Sequence, residues 1–254
     1  REKMGDRLAF VARVREEDYG AGRIRPHERT HPGPKEDRLR LTRATKANLS
    51  PIFSLFSDPS GAAWGALTPS TEAPPFSQTE DDDGTVNRLW RVTDPAAIEV
   101  VCQSLRDVEL LIADGHHRYE TARVYAEEVG GDGPHRFALM CLVALEDPGL
   151  TVFPTHRLVR GLRPDQHEVL ATALRRDFDI EPLADVHELA PSSSDQVQIG
   201  YIDAHFRRPF RLTLKDPAIA DRALPEHAEP YRRLDTAVLE ALILKGALGM
   251  TDLD

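Results

Sequence analysis

Two cysteines, Cys102 and Cys141, are all that this 254-residue chain contains, and neither belongs to a Cys-x-x-Cys pair or a Cys/His cluster. A disulfide framework and a structural zinc site therefore have no ligand set, and both thiols read as small core hydrophobes, Cys102 on a helix face and Cys141 in a buried strand. No apolar run nears the roughly 20 residues that a membrane helix needs. The opening residues lack the apolar centre of a secretion signal. Positive charge is scarce as well: 32 Lys and Arg against 42 Asp and Glu leave a net charge of −10, which argues against a chain built to wrap duplex nucleic acid. No Gly-x-x-x-x-Gly-Lys-Ser/Thr, Gly-x-Gly-x-x-Gly or Gly-x-Ser-x-Gly string occurs, so the commonest nucleotide, dinucleotide and serine-hydrolase frameworks lose their signature. The expectation is a cytoplasmic protein with a small-molecule substrate and no membrane or nucleic-acid partner.

What the chain does have is concentrated in Asp114-Gly115-His116-His117-Arg118-Tyr119. The apolar-majority run 108–113 has the length of a buried strand. After it, Tyr119, Ala122, Ala126 and Val129 recur at helical spacing on one stripe, which puts His116, Glu120, Arg123 and Glu127 on a wettable face. Asp114 thus ends a strand, and Gly115 turns the chain into a helix that starts with two imidazoles and a guanidinium. Unpaired N–H groups and the positive end of the macrodipole meet at such a start, so the stretch suits a phosphate or a metal ion. A plainer reading makes Asp114 a cap, Gly115 a turn and the histidines solvated. It accounts for each residue singly, but less well for all six at a strand's carboxyl end.

Around this centre, strands are expected at 8–12, 51–56 and 88–92, and a basic helix at 35–49 carries Lys35, Arg38, Arg40, Arg43 and Lys46. That helix fits a phosphate or a solvated face equally well. Residues 58–84 read as a loop ending in Asp81-Asp82-Asp83-Gly84, which lacks the alternating spacing of a calcium site. Asp94-Pro95 caps a helix bearing Ile98, Val101, Cys102 and Leu105, and 137–145, the most apolar run, is expected as a central strand buried on both faces. From 164 a helix runs to about 176, then Val197-Ile199-Tyr201 and Phe210-Leu212-Leu214 alternate like a hairpin, and Asp235 caps a final helix. The fold class expected is α/β, or α+β, a mixed sheet with flanking helices: residues 1–160 form the motif-bearing domain and 161–254 a smaller α+β portion. Because the chain begins at Arg1 and not Met, it is expected to be a piece of a longer protein.

Three chemistries fit the motif: phosphoryl transfer, metal-assisted hydrolysis using Asp114, His116 or His117 with His156, and anion binding without turnover. The ordered segments Pro26-His27-Glu28-Arg29-Thr30, 33–39, 47–52, Leu89-Trp90-Arg91-Val92, 112–122 and Pro154-Thr155-His156-Arg157-Leu158 resemble the bacterial and archaeal family labelled domain of unknown function 1015, from about residue 19 to 160. Asn87 stands where that resemblance would put a histidine. Residues 112–122 are in turn similar to the helix-start motif of the partition-protein ParB, sulfiredoxin and free-serine-kinase group. This second resemblance implies a nucleotide-dependent phosphotransferase using ATP or ADP with magnesium on a small hydroxyl compound such as free serine. It makes Asp114 the acid/base, with Glu28 the nearest counterpart of the kinases' upstream glutamate and His117 a further catalytic candidate. Gly115, His116 and Arg118 would hold the nucleotide, together with His156 and Arg157. A metal-dependent hydrolase and a nucleotide sensor without turnover are the alternatives. All these residues, with His27, are expected to converge on one cleft.

Overall fold

The computed structural model describes residues 5–20, 22–27, 32–153, 156–189, 196–203 and 206–250. Two compact units, Arg1–Val152 and Phe153–Asp254, divide the chain. Both mix helix and strand, and the sheet of the first mixes parallel and antiparallel pairs, so the fold is α/β.

In the first unit the order is β1 (Phe10–Arg15), β2 (Ile24–Arg25), α1 (Pro32–Thr45), β3 (Ile52–Phe56), α2 (Ala62–Thr71), β4 (Ser77–Glu80), β5 (Val86–Leu89), α3 (Pro95–Ser104), β6 (Leu110–Asp114), α4 (His116–Val129) and β7 (Phe137–Ala144). Five strands make the main sheet in the order β1-β7-β3-β6-β2. β3 runs parallel to β7 and antiparallel to β6, whereas β6 runs parallel to β2. Side chains alternate across a strand, so Ile52 and Phe56, Leu110 and Ile112, and Met140 and Leu142 share one face. Tyr119 of α4 and Ala63 of α2 join that core. Fully burying a side chain such as Ile112 or Met140 contributes about 1.5–3 kcal/mol.

The apolar run 137–145 is an inner strand flanked by β1 and β3, but only Ala138, Met140, Leu142 and Val143 are buried, and the alternate residues Phe137, Leu139 and Cys141 are half-covered. The basic helix starts earlier than expected, at Pro32, and stops earlier, at Thr45, because Lys46 adopts φ 50 and leaves the right-handed helical region; nothing in the structure accounts for the earlier start. Residues 58–84 are not a loop. Asp58 accepts the amide hydrogens of Ala62 and Ala63 at 3.0 and 2.9 Å and so starts α2, and 81–84 are the turn of the β4–β5 hairpin rather than a free acidic segment. β5 likewise ends before 92. Asp94 does cap α3, accepting from the Ala96 amide at 3.0 Å. The helix buries Val101, however, and leaves Cys102 exposed, so only Cys141 approaches the core role, its thiol pushed up by burial.

The second unit contains α5 (Pro164–Asp177), β8 (Phe178–Pro182), β9 (Gln198–Asp203), β10 (Arg208–Leu214), α6 (Pro217–Ala223), α7 (Glu229–Arg232) and α8 (Asp235–Val238), which continues as a π-helix over Leu239–Ala247. β8-β10-β9 are antiparallel, and Ile199 faces Leu212 and Tyr201 faces Phe210 across the pair expected as a hairpin. Leu174, Phe178, Leu212, Val238 and Ile243 form its core. Asp235 is the first helical residue and not the cap; its carboxylate accepts the Gln198 amide hydrogen at 2.9 Å. No helix among the described residues is long and apolar enough to cross a membrane.

Candidate functional site

β6 delivers Asp114 to the sheet edge, and Gly115 at φ 103 makes a turn that costs other residues backbone strain. Gly115 is the N-cap of α4 and, as glycine, supplies no side-chain cap of its own. The first amides of a helix have no intrahelical acceptor, so α4 presents its positive end at the sheet edge. Arg118 folds back over the turn. It contacts the Asp114 carboxylate and the Pro51 carbonyl and donates to Ser50 Oγ at 3.2 Å. A Cβ on Gly115 would lie 2.9 Å from two guanidinium nitrogens. The backbone angle favours glycine here, and any larger residue would also have to displace the Arg118 guanidinium. Asp114 leaves 74% of its side chain exposed while Arg118 leaves 23%, which puts the carboxylate outermost in the pair.

The parallel pairing of β2 with β6 carries His27 to the same edge. Its backbone N–H donates to His116 Nε2 at 3.2 Å, its Nδ1 lies 2.7 Å from the Ile112 carbonyl, and the two rings meet edge to face at 4.5 Å. A carbonyl only accepts, so His27 Nδ1 carries a proton; His116 Nε2, accepting, carries none. His116 is 2% exposed instead of lying on the wettable face expected from spacing. The helix stripe is rotated towards it: Tyr119 and Ala126 are buried and Val129 is 50% exposed. Tyr119 anchors the helix start, since its hydroxyl accepts the Glu17 amide hydrogen and donates to the Glu17 carbonyl, both at 2.8 Å. Burial pushes that phenol up to about 12. Arg23 holds the Glu17 carboxyl below its ordinary range, which fixes the same loop from its other side.

The structure therefore brings His27, Asp114, Gly115, His116, His117 and Arg118 together. His117 is half-buried in the first turn, its carbonyl accepting from Thr121 Oγ1 at 2.6 Å. Glu28 lies outside the described residues, as do Pro154 and Thr155; His156 and Arg157 are exposed in the second unit. Residues 27–31 also spell His-Glu-x-x-His, which in zinc proteases sets both imidazoles on one helix face. Here His27 stands in irregular backbone after β2, so the string lacks that helical frame at its first histidine. Among the described residues no three His, Cys, Asp or Glu side chains are grouped to hold a metal ion.

Beside Arg118 a cavity of about 300 Å³ opens between α1 and α4. Arg38 of α1 and Lys46 of the following loop add two cations to Arg118 in its lining, and no carboxylate lines it among the described residues. Periodicity could not find this cavity, although two stretches that carry the family resemblance, 33–39 and 47–52, contribute to its wall.

No curated protein and no solved structure matches the chain. A family model described as "Protein of unknown function (DUF1015)" matches residues 2–237, a longer stretch than the segments quoted above, and the chain belongs to that family.

Proposed function

We propose that the chain is a nucleotide-dependent phosphotransferase of the cytoplasm that acts on a small hydroxyl compound, a free hydroxy amino acid such as serine being the first candidate. The observation that carries this reading is the pairing of an exposed carboxylate with a guanidinium at the start of α4. Phosphate oxygens would take the α4 amides and the Arg118 donors, which act on charge in the transferring group. Asp114, beside them, would accept the proton of the acceptor hydroxyl as its oxygen bonds to the terminal phosphorus; the bridging P–O bond breaks and the shortened nucleotide leaves. Magnesium would be held mainly through the nucleotide phosphates, which leaves a need for only one or two protein carboxylates. His116 would position His27 in this scheme, because its Nε2 is already engaged by the His27 amide.

The test is titration of the purified chain with ATP, ADP and CTP, followed by mass detection of phosphorylated serine and other small hydroxy acids. Saturable nucleotide binding with a phosphorylated product supports the reading. Binding without turnover would make the protein a sensor, and metal-dependent cleavage of a phosphate ester without nucleotide would make it a hydrolase.

A further inference from the structure

The residues of β4 and β5 are exposed throughout, and the two strands pair only with each other among the described residues. Trp90 Nε1 donates to the Ala73 carbonyl at 2.8 Å and Arg91 stacks on Phe76 at 4.5 Å, which fastens the hairpin at its root. A lone two-stranded hairpin is marginally stable in water, and a third strand relieves that.

Hydrogen-bond parity fixes what each edge offers. The Asp81 amide donates to the Thr85 carbonyl at 2.9 Å, and bonded pairs recur at every second residue, so Thr79–Asn87 and Ser77–Leu89 also bond inward. The backbone groups of Val86 and Arg88 then point out of the β5 edge, and those of Gln78 and Glu80 out of the β4 edge. Either edge is a template for another strand. Charge separates them: the β4 edge carries Glu80 and runs into Asp81-Asp82-Asp83, whereas β5 carries Arg88 and leads to Arg91. Among the described residues neither arginine pairs with a carboxylate, Arg88 donating to Gln78 Oε1 and Arg91 lying on Phe76.

A strand that pairs antiparallel with its own copy must set outward residues against outward residues. Arg88 on Arg88 opposes like charges, which is destabilising. Val86 on Val86 sets Arg88 against the irregular turn at Gly84, whose φ is 84. Centring the pair on Asn87 sets each Val86 against Arg88 of the other copy and brings each acidic turn to the other copy's Arg91. We infer that β5 pairs antiparallel with β5 of a second copy of this chain, about a two-fold axis at Asn87, to make one four-stranded sheet. Such an interface uses one patch twice and is closed. The Arg88 stem covers Val86, which is 40% exposed in the single chain. An edge of about five residues a side falls well short of the roughly 20–30 of a standard interface, so the dimer is weak and its population follows concentration.

Sedimentation equilibrium of the purified chain over a range of concentrations should show a reversible monomer–dimer equilibrium. Val86→Pro removes an outward donor and spares the bonds to β4, and Asn87→Lys sets two like charges face to face on the axis. Each should weaken the dimer at least tenfold with an unchanged circular dichroism spectrum, whereas Gln78→Pro, the matching change on the β4 edge, should leave it intact. Across the axis the two Asn87 Cα atoms would be about 4.5 Å apart, within disulfide reach. Asn87→Cys in a Cys102→Ser background should therefore give a covalent dimer on mild oxidation, and Arg88→Cys should not. A monomer at every concentration overturns the inference, as does a dimer that survives either Val86→Pro or Asn87→Lys, one lost in Gln78→Pro alone, or cross-linking through position 88 rather than 87.

Discussion

Replacing Gly115 with alanine tests the turn at the centre of the site, and Gly61→Ala is its built-in control. Both glycines are helix N-caps with positive φ, 103 at Gly115 and 66 at Gly61, so alanine at either position takes on left-handed strain of roughly 1–2 kcal/mol. They differ in surroundings: nothing lies within 4 Å of a Cβ at Gly61, whereas at Gly115 the Arg118 guanidinium lies at 2.9 Å. Alanine at 115 must therefore also displace Arg118 from Asp114, Ser50 and Pro51. An exposed ion pair contributes about 0.2–1 kcal/mol and a hydrogen bond about 0.5–1.5 kcal/mol. Gly115→Ala should then lose about 2–4 kcal/mol in total, against about 1–2 kcal/mol for Gly61→Ala. Urea titrations at unchanged slope give the two midpoints. Equal losses in both variants would refute the claim that a Cβ at 115 displaces Arg118 from its partners.

Tyr119→Phe removes the hydroxyl that satisfies both backbone groups of Glu17 and should cost about 1–3 kcal/mol, read as a lower urea midpoint; an unchanged midpoint would mean that water replaces the hydroxyl. Burial raises the Glu16 carboxyl above its ordinary value of 4.5 against the pull of Arg136, Arg123 and His135, with Glu127 adding to the rise. Folding therefore favours the protonated acid, and this group's contribution to stability declines as pH climbs from 4.5 through the raised value. Glu16→Gln should accordingly gain stability over wild type at pH 7, and the gain should shrink towards pH 4.5 in paired thermal melts; a gain independent of pH would assign it to something other than ionisation.

The strand–turn–helix at 110–129 was legible because each of its signals is local: an apolar run that stops, a glycine, and apolar residues at helical spacing. The long-range pairings were not. β2 has two residues, too few for any periodicity, yet its parallel pairing with β6 carries His27 onto His116 and buries an imidazole that spacing alone places in water. α2 was hidden because its capping carboxylate, Asp58, sits four residues ahead of Ala62 in a segment whose composition reads as loop. The basic face of α1 read equally well as a phosphate site or as solvated charge. In the structure Arg43 is indeed tied to Glu128 of α4, while Arg38 lines the cavity beside that helix, a division that only the packing of α1 on α4 decides.

Comparing Asp114→Asn with Arg118→Ala in calorimetry and a turnover assay tests the central claim most directly. Asparagine keeps the shape of Asp114 but cannot take a proton, so nucleotide affinity should stay within a few-fold of wild type while turnover falls by roughly two to four orders of magnitude. Loss of Arg118 removes a charge-assisted donor of about 1.5–3 kcal/mol, and affinity should fall at least tenfold. Both variants losing stability alone, with binding and turnover untouched, would contradict the account and leave the pair as a structural clasp between β6 and α4.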